Sequence, residues 1–239
     1  MKSALEVQYG LYNKEDLDIS KIEEDYWKLC FNPESKSLLI FAGEFEVKYA
    51  SDIPLSKFLT PLELKGIYES YIESKHWNLL TLNKNNNSLF QFIGHEKKNQ
   101  ISGITLPWLY FGMIFSTFCW HTEDLYLYSI NFSHFGAAKI WYLIILYRYG
   151  IPHDQKEKMD NFIKAKYIST IQKEPDLVHH LTVFINPLEL IENGIDVYKA
   201  IQKPGEIILT LPKGYHTGFS TGFNIGEAVN FSVKLRNEN

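Results

Sequence analysis

From Pro107 onward the chain becomes a succession of short segments rich in aromatic and β-branched residues, a pattern that admits few folds. Leu109 to Phe118, Asp124 to Phe132, Lys139 to Leu146, Val197 to Gln202, Glu206 to Leu211 and Ile225 to Val233 read as strands. Helical signals interrupt them between Asp154 and Tyr167 and between Asn186 and Gly194, the latter with an Asn cap, Pro next and Gly past the end. Many strands around one interior predict a mainly β barrel or sandwich with helical decorations. With 239 residues, 45% of them hydrophobic and 15% aromatic, the chain can bury a substantial core and reads as one large domain.

Two helices are expected before the strands. Ser20 and Glu23 make a capping box ahead of Ile22, Tyr26, Leu29 and Cys30, which share one helical face. Thr60-Pro61-Leu62-Glu63 opens a second helix that runs to about Trp77. Asn83 to Ser88 is a polar loop and the expected place for a mobile insertion. No internal repeat or linker stands out.

Composition narrows the function. A net charge of -4, with no long basic stripe, argues against a nucleic-acid surface and suits a basic peptide better. Cys30 and Cys119 form neither a Cys-x-x-Cys pair nor a disulfide framework, which fits a reducing compartment. The most apolar run, Trp141 to Leu146, is far too short to cross a bilayer, so a soluble intracellular chain is expected.

His121 and Glu123 lie one residue apart in a strand-like run, where positions i and i+2 face the same way. A distant His216 could complete a set of two imidazoles and one carboxylate, the facial arrangement of non-haem iron(II) oxygenases. Spacing alone does not decide the matter. With 8 His and 28 acidic residues, such a triplet arises roughly once by chance, and from spacing alone a surface pair near a strand end is the readier explanation.

The surrounding text does decide. Leu106-Pro-Trp-Leu-Tyr-Phe-Gly-Met113, Phe118-Cys-Trp-His-Thr-Glu-Asp124, Tyr128-Ser-Ile-Asn131, Gly214-Tyr-His-Thr-Gly-Phe219 and Glu227-Ala-Val-Asn-Phe231, in that order, resemble the Jumonji C (JmjC) oxygenases, and within them the JARID-type lysine demethylases. The resemblance runs from about Ile22 to Phe231 and includes Asp18 to Leu29 as an approach helix and Val47 to Ile53 as an early strand. It implies a double-stranded β-helix of the jelly-roll or cupin type over residues 107–239, an approach region of helices and a strand over 18–106, and an N-terminal extension over 1–17. No JmjN segment is recognisable before about residue 18, and a catalytic core alone is expected.

On matching residues, the resemblance implies iron(II) ligation by His121, Glu123 and His216. It gives Lys139 the distal carboxylate of 2-oxoglutarate, with a hydroxyl from Tyr49 and a contact from Asn131 on the neighbouring strand. Phe118 and Trp141 would wall that pocket, while Trp108 and Tyr110 would line a methyl-lysine channel. For Phe118, Trp141 and Tyr110 ordinary core packing is the alternative. The other histidines are read as structural or solvent-facing.

Two departures stand out. Gly136-Ala-Ala-Lys139 replaces the family's Gly-Glu-Pro-Lys, which removes a rigid turn. The family also reads Trp-Tyr-Gly-Val-Pro after the lysine, whereas Leu143 to Tyr149 here separates Trp141-Tyr142 from Gly150-Ile-Pro152. These seven residues could extend a strand pair at the barrel rim, and strain there could misplace Lys139.

The implied chemistry uses iron(II), 2-oxoglutarate and dioxygen to hydroxylate an N-methyl group, with release of formaldehyde from methylated lysine of a histone H3 tail. Nuclear location is implied by that substrate alone. A JmjC protein hydroxylase acting on another side chain and an inactive binding module are the rival readings. Oligomeric state is left open.

Overall fold

The computed structural model of the chain describes residues 18–31, 47, 49–54, 107–144, 147–148, 151–152, 155–173 and 184–232. The helix expected from Thr60 to Trp77 and the Asn83 to Ser88 loop lie outside the described residues. Helix α1 (Ile19–Phe31) precedes strands β1 (Ala50–Pro54), β2 (Trp108–Gly112), β3 (Thr117–His121), β4 (Tyr128–Gly136) and β5 (Lys139–Leu143). A short pair, β6 (Tyr147–Arg148) and β7 (Ile151–Pro152), then leads to α2 (Gln155–Lys166), α3 (Ile168–Lys173) and α4 (Pro187–Glu192). Strands β8 (Tyr198–Gln202), β9 (Ile207–Thr210), β10 (His216–Ser220) and β11 (Asn224–Phe231) complete the series.

The strands form two antiparallel sheets besides the β6–β7 pair, ordered β1-β2-β11-β4-β9 and β3-β10-β5-β8. The chain steps from one sheet to the other after β2, β3, β4, β8, β9 and β10. This is the double-stranded β-helix that the sequence implies. Its walls come from alternation. In β5, Ile140 and Tyr142 face the helices and the main core, whereas Lys139 and Trp141 face the space between the sheets.

Three local expectations are corrected. Leu109 to Phe118 is not one strand, because a turn at Met113 to Ser116 carries the chain from β2 into the other sheet. Phe115 takes the left-handed region (φ 64), held by a 2.8 Å hydrogen bond from its N–H to the Ser220 carbonyl. No Gly or Pro marks that position. Second, α1 is capped by Asp18, whose Oδ1 accepts from the N–H groups of Ser20 and Lys21 at 3.1 and 3.2 Å, and not by a Ser20–Glu23 box. Glu23 is drawn off, accepting from the Tyr142 hydroxyl at 2.6 Å and pairing with Lys199 at 2.9 Å. Third, β4 begins only at Tyr128, after a single 3-10 turn at Asp124–Tyr126. The Asn186 cap of α4 is present as expected, with Oδ1 accepting from the Leu188 N–H at 2.9 Å.

The seven additional residues do not displace Lys139. They contribute β6, in which Tyr147 pairs with Pro152 and Arg148 with Ile151, while Lys139 stays in register between Gln202 on one side and Ser220 on the other. Tight pairing on both sides of β5 insulates it from extra length later in the chain.

Helix α1 and the helices after β7 cover the outer face of the four-stranded sheet. Ile22, Tyr26, Trp120, Ile140, Met159, Leu190 and Phe219 form one buried cluster there, with Tyr26 stacked on Phe219 at 3.7 Å between ring centroids. At Gly218 in β10, an added Cβ would stand 2.2 Å from the Ile140 carbonyl and 2.6 Å from the Phe118 ring. The carbonyl belongs to the sheet and cannot yield, so Gly218→Ala should cost about 3 kcal/mol, read as a lowered denaturation midpoint in urea.

Candidate metal centre

His121 ends β3 and His216 begins β10, and the two are directly paired across these antiparallel strands. Their rings lie 4.2 Å apart. Glu123 follows two residues after His121 on extended backbone (φ -65, ψ 149), so it turns to the same side although the strand itself has ended. The donor atoms of all three lie within 4.8 Å of one another. His216 Nε2 is 3.3 Å from Glu123 Oε1. Two donors at adjacent octahedral positions, each about 2.1 Å from an ion, stand about 3 Å apart, so this separation fits shared coordination.

Hydrogen bonds set both rings for that task. His121 Nδ1 lies 2.8 Å from the Cys119 carbonyl and His216 Nδ1 lies 3.1 Å from the Gly214 carbonyl. A carbonyl can only accept, so each Nδ1 turns its N–H to the backbone and each Nε2 is aimed at the site, where a metal would bind. Burial, then the neighbouring His216, pushes His121 down to about 4. Burial alone would raise the Glu123 carboxyl, but the hydrogen bond and charge of His216, with help from His121 and Asn230, hold it at about 2. Around neutral pH the set therefore offers a neutral His121 and an ionised carboxylate, the forms that bind metal.

The three donors line a cavity of about 280 Å³ between the sheets. Phe118, Asn131, Lys139, Trp141, Trp108 and Tyr110 share its walls, so nearly all the residues singled out in the sequence meet there. Phe118 packs on Trp141 at 4.6 Å. Lys139 is only 8% exposed, its Nζ is 6.0 Å from the Tyr110 ring centroid, and burial pushes it down to about 8. No carboxylate among the described residues lies in ion-pair range of it. A buried ammonium in that condition is a ready partner for an anionic ligand. Gly226 leaves room beside it, since a Cβ there would come within 3.2 Å of Nζ.

Tyr49 is the exception. It is 67% exposed and is not among the residues that line the cavity. The register of β1 on β2 slips between Ala50 and Ile53, and Asp52 takes a left-handed conformation (φ 58) in that bulge. Asp52, rather than Tyr49, lines the cavity.

Two supporting residues escape a reading of the sequence. Asn230 Nδ2 donates to Glu123 Oε2 at 2.9 Å and so fixes the carboxylate. Gln202, fully buried, accepts from the Trp141 indole at 2.9 Å and donates to the Asn131 carbonyl at 3.0 Å. Alternation along β11 places Ala228 and Asn230 on the cavity side and could have exposed the first. Nothing local in the sequence marks the second.

His134, read as structural or solvent-facing, does not face solvent. It is buried on the outer face of the five-stranded sheet, 2.6 Å from the equally buried Glu227.

This fold, with these donors between its sheets, defines a JmjC-type centre. The family described as JmjC domain, hydroxylase, matches residues 108–231, and the chain belongs to that family. Its members depend on iron(II) and 2-oxoglutarate, and the donor set and the buried Lys139 fit both groups. The chain is 36% identical over 213 residues to lysine-specific demethylase JMJ703 of Oryza sativa subsp. japonica, covering 89% of this chain and 16% of that protein. It is 34% identical over 224 residues to lysine-specific demethylase JMJ17 of Arabidopsis thaliana (90% and 17%). It is 35% identical over 213 residues to lysine-specific demethylase 5B of Gallus gallus (88% and 13%). The chain thus spans less than a fifth of the length of these relatives. Among the described residues, no helix is long and apolar enough to cross a membrane.

Proposed function

We propose that this chain is the catalytic core of a 2-oxoglutarate-dependent histone lysine demethylase, with His121, Glu123 and His216 as the iron(II) ligands. The convergence of these three donors beside the buried Lys139 carries the reading, and the demethylase names of the relatives support it. Bound iron(II) supplies the dioxygen-activating chemistry of the family, coupled to oxidative decarboxylation of 2-oxoglutarate to succinate. The chain's own residues position the partners. Lys139 holds the distal carboxylate, Asn131 approaches the cosubstrate from β4, and Phe118 and Trp141 shield it from water. Trp108 and Tyr110 offer aromatic faces to a methylated ammonium entering the cavity. Acidic Asp52 and Asp124 on the same walls suit a basic peptide such as a histone tail. Hydroxylation of the N-methyl carbon gives a carbinolamine that breaks down to formaldehyde and the demethylated amine. A histone substrate places the protein in the nucleus.

A panel of methylated H3 peptides, incubated with the protein, iron(II), ascorbate and 2-oxoglutarate, tests this. At least one peptide should lose a methyl mass with release of formaldehyde. Turnover of 2-oxoglutarate with gain of one oxygen on a peptide, and no methyl loss, would identify a protein hydroxylase instead. Absence of iron binding would point to an inactive module.

A further inference from the structure

The segments that carry Glu123 and His216 are both tied to one helix, α2. Glu123 is followed at once by the turn Asp124–Tyr126, which closes on it through a 3.0 Å hydrogen bond from the Tyr126 N–H to the Glu123 carbonyl. Leu125 and Tyr126 both take the left-handed region there (φ 53 each), which side chains of this kind avoid and which outside contacts must hold. Leu125 does not supply them, since it is 82% exposed. Tyr126 does. Its ring centroid lies 5.3 Å from the Lys156 ammonium of α2 and 5.9 Å from the Lys213 ammonium.

The same helix reaches the residue before His216. Lys156 pairs with Asp160 at 2.6 Å, and the other oxygen of that carboxylate accepts from the Tyr215 hydroxyl at 2.9 Å. Lys156 Nζ also lies 6.0 Å from the Tyr215 ring centroid. Met159 and Ile163 bury α2 in the main core, and Gln155 at its start exchanges hydrogen bonds with Asp196, so the helix is a fixed support. We propose that Lys156 is a positioning residue of the metal centre: through Tyr126, and by way of Asp160 through Tyr215, it keeps Glu123 and His216 turned toward one ion. Loss of its charge frees the strained turn to relax and to carry Glu123 with it. This rests on the metal-centre reading above and adds the element that sets two of the three donors.

Isothermal titration of the metal-free protein with manganese(II) tests this without turnover. Lys156→Met and Tyr215→Phe should each raise Kd about fivefold or more, approaching the loss typical of a ligand's supporting partner, while Tm stays close to that of the parent. Lys156→Arg keeps the charge and should bind like the parent. So should Lys166→Met, which breaks an ion pair between the same helix and Glu189 of α4, away from both ligand segments. Asn tolerates the left-handed region and Leu125 has little packing to lose, so adding Leu125→Asn to Lys156→Met should bring Kd at least about halfway back on a logarithmic scale. Parent affinity in either folded variant, Lys156→Met or Tyr215→Phe, would overturn the proposal, as would an equal loss in Lys166→Met. No recovery with Leu125→Asn would overturn the strained turn as its route. A parent protein that binds no manganese would refute the metal-centre reading, and this proposal with it.

Discussion

Glu123→Ala should lower turnover by more than about a thousandfold and abolish retention of iron(II) through desalting, with little change in the circular dichroism of the fold. The cause is electrostatic. Glu123 is the one anion in the donor set, and its carboxyl is held at about 2, so it is ionised at any pH where the protein would work. Without it, two imidazoles and no anion remain to face a dication. Asn230→Ala provides the graded comparison, because it removes only the 2.9 Å hydrogen bond that orients the carboxylate. Loss of such a supporting partner typically costs about 10 to 100-fold in metal affinity. Isothermal titration with manganese(II) should therefore rank the parent above Asn230→Ala, and Asn230→Ala above Glu123→Ala. Equal affinities for all three proteins would remove Glu123 from the site.

Lys139→Met should weaken 2-oxoglutarate binding by about 100-fold and, at the same time, stabilise the ligand-free protein near pH 7. Burial pushes Lys139 from its ordinary 10.5 down to about 8, a penalty on the charged form of roughly 3 kcal/mol. A folded-state value below the unfolded one means that the unfolded chain binds more protons between about 8 and 10.5. The free protein therefore bears the whole penalty below about pH 8 and sheds it as pH rises toward 10.5. Removing the ammonium lifts that burden, so the gain in Tm should be largest at pH 7 and shrink above pH 8. A bound dicarboxylate favours the protonated form, so cosubstrate affinity of the parent should fall by about tenfold per pH unit above about 8, and that of Lys139→Met should not. A pH-independent affinity in the parent would mean that Lys139 does not meet the anion.

Much of this architecture is readable in the sequence, and the gaps have physical causes. Strands with one wet face announce themselves by alternation. β10 does not, because every residue from His216 to Ser220 is buried, and its His-Thr-Gly-Phe-Ser text shows no period of two. Periodicity therefore passes over this strand, although it carries the third donor. The turn between β2 and β3 is hidden for the opposite reason: tertiary contacts hold Phe115 in a conformation that local preference would give to glycine.

The meeting of His121, Glu123 and His216 is legible in the ordered motif blocks, since spacing alone favours a surface pair. The same blocks direct Tyr49 into the cavity, but a bulge cannot be read from a short motif, and it turns the neighbouring Asp52 inward instead. Gln202 illustrates a further limit. Its role depends on Trp141 and Asn131, which lie on other strands and far away in sequence.

Diffraction from crystals grown anaerobically with iron(II), measured at the iron absorption edge, addresses the shared metal site most directly. A single strong anomalous peak is expected within bonding distance of His121 Nε2, a Glu123 carboxylate oxygen and His216 Nε2. A metal bound elsewhere, or no ordered metal between these three side chains at saturating iron, would contradict it.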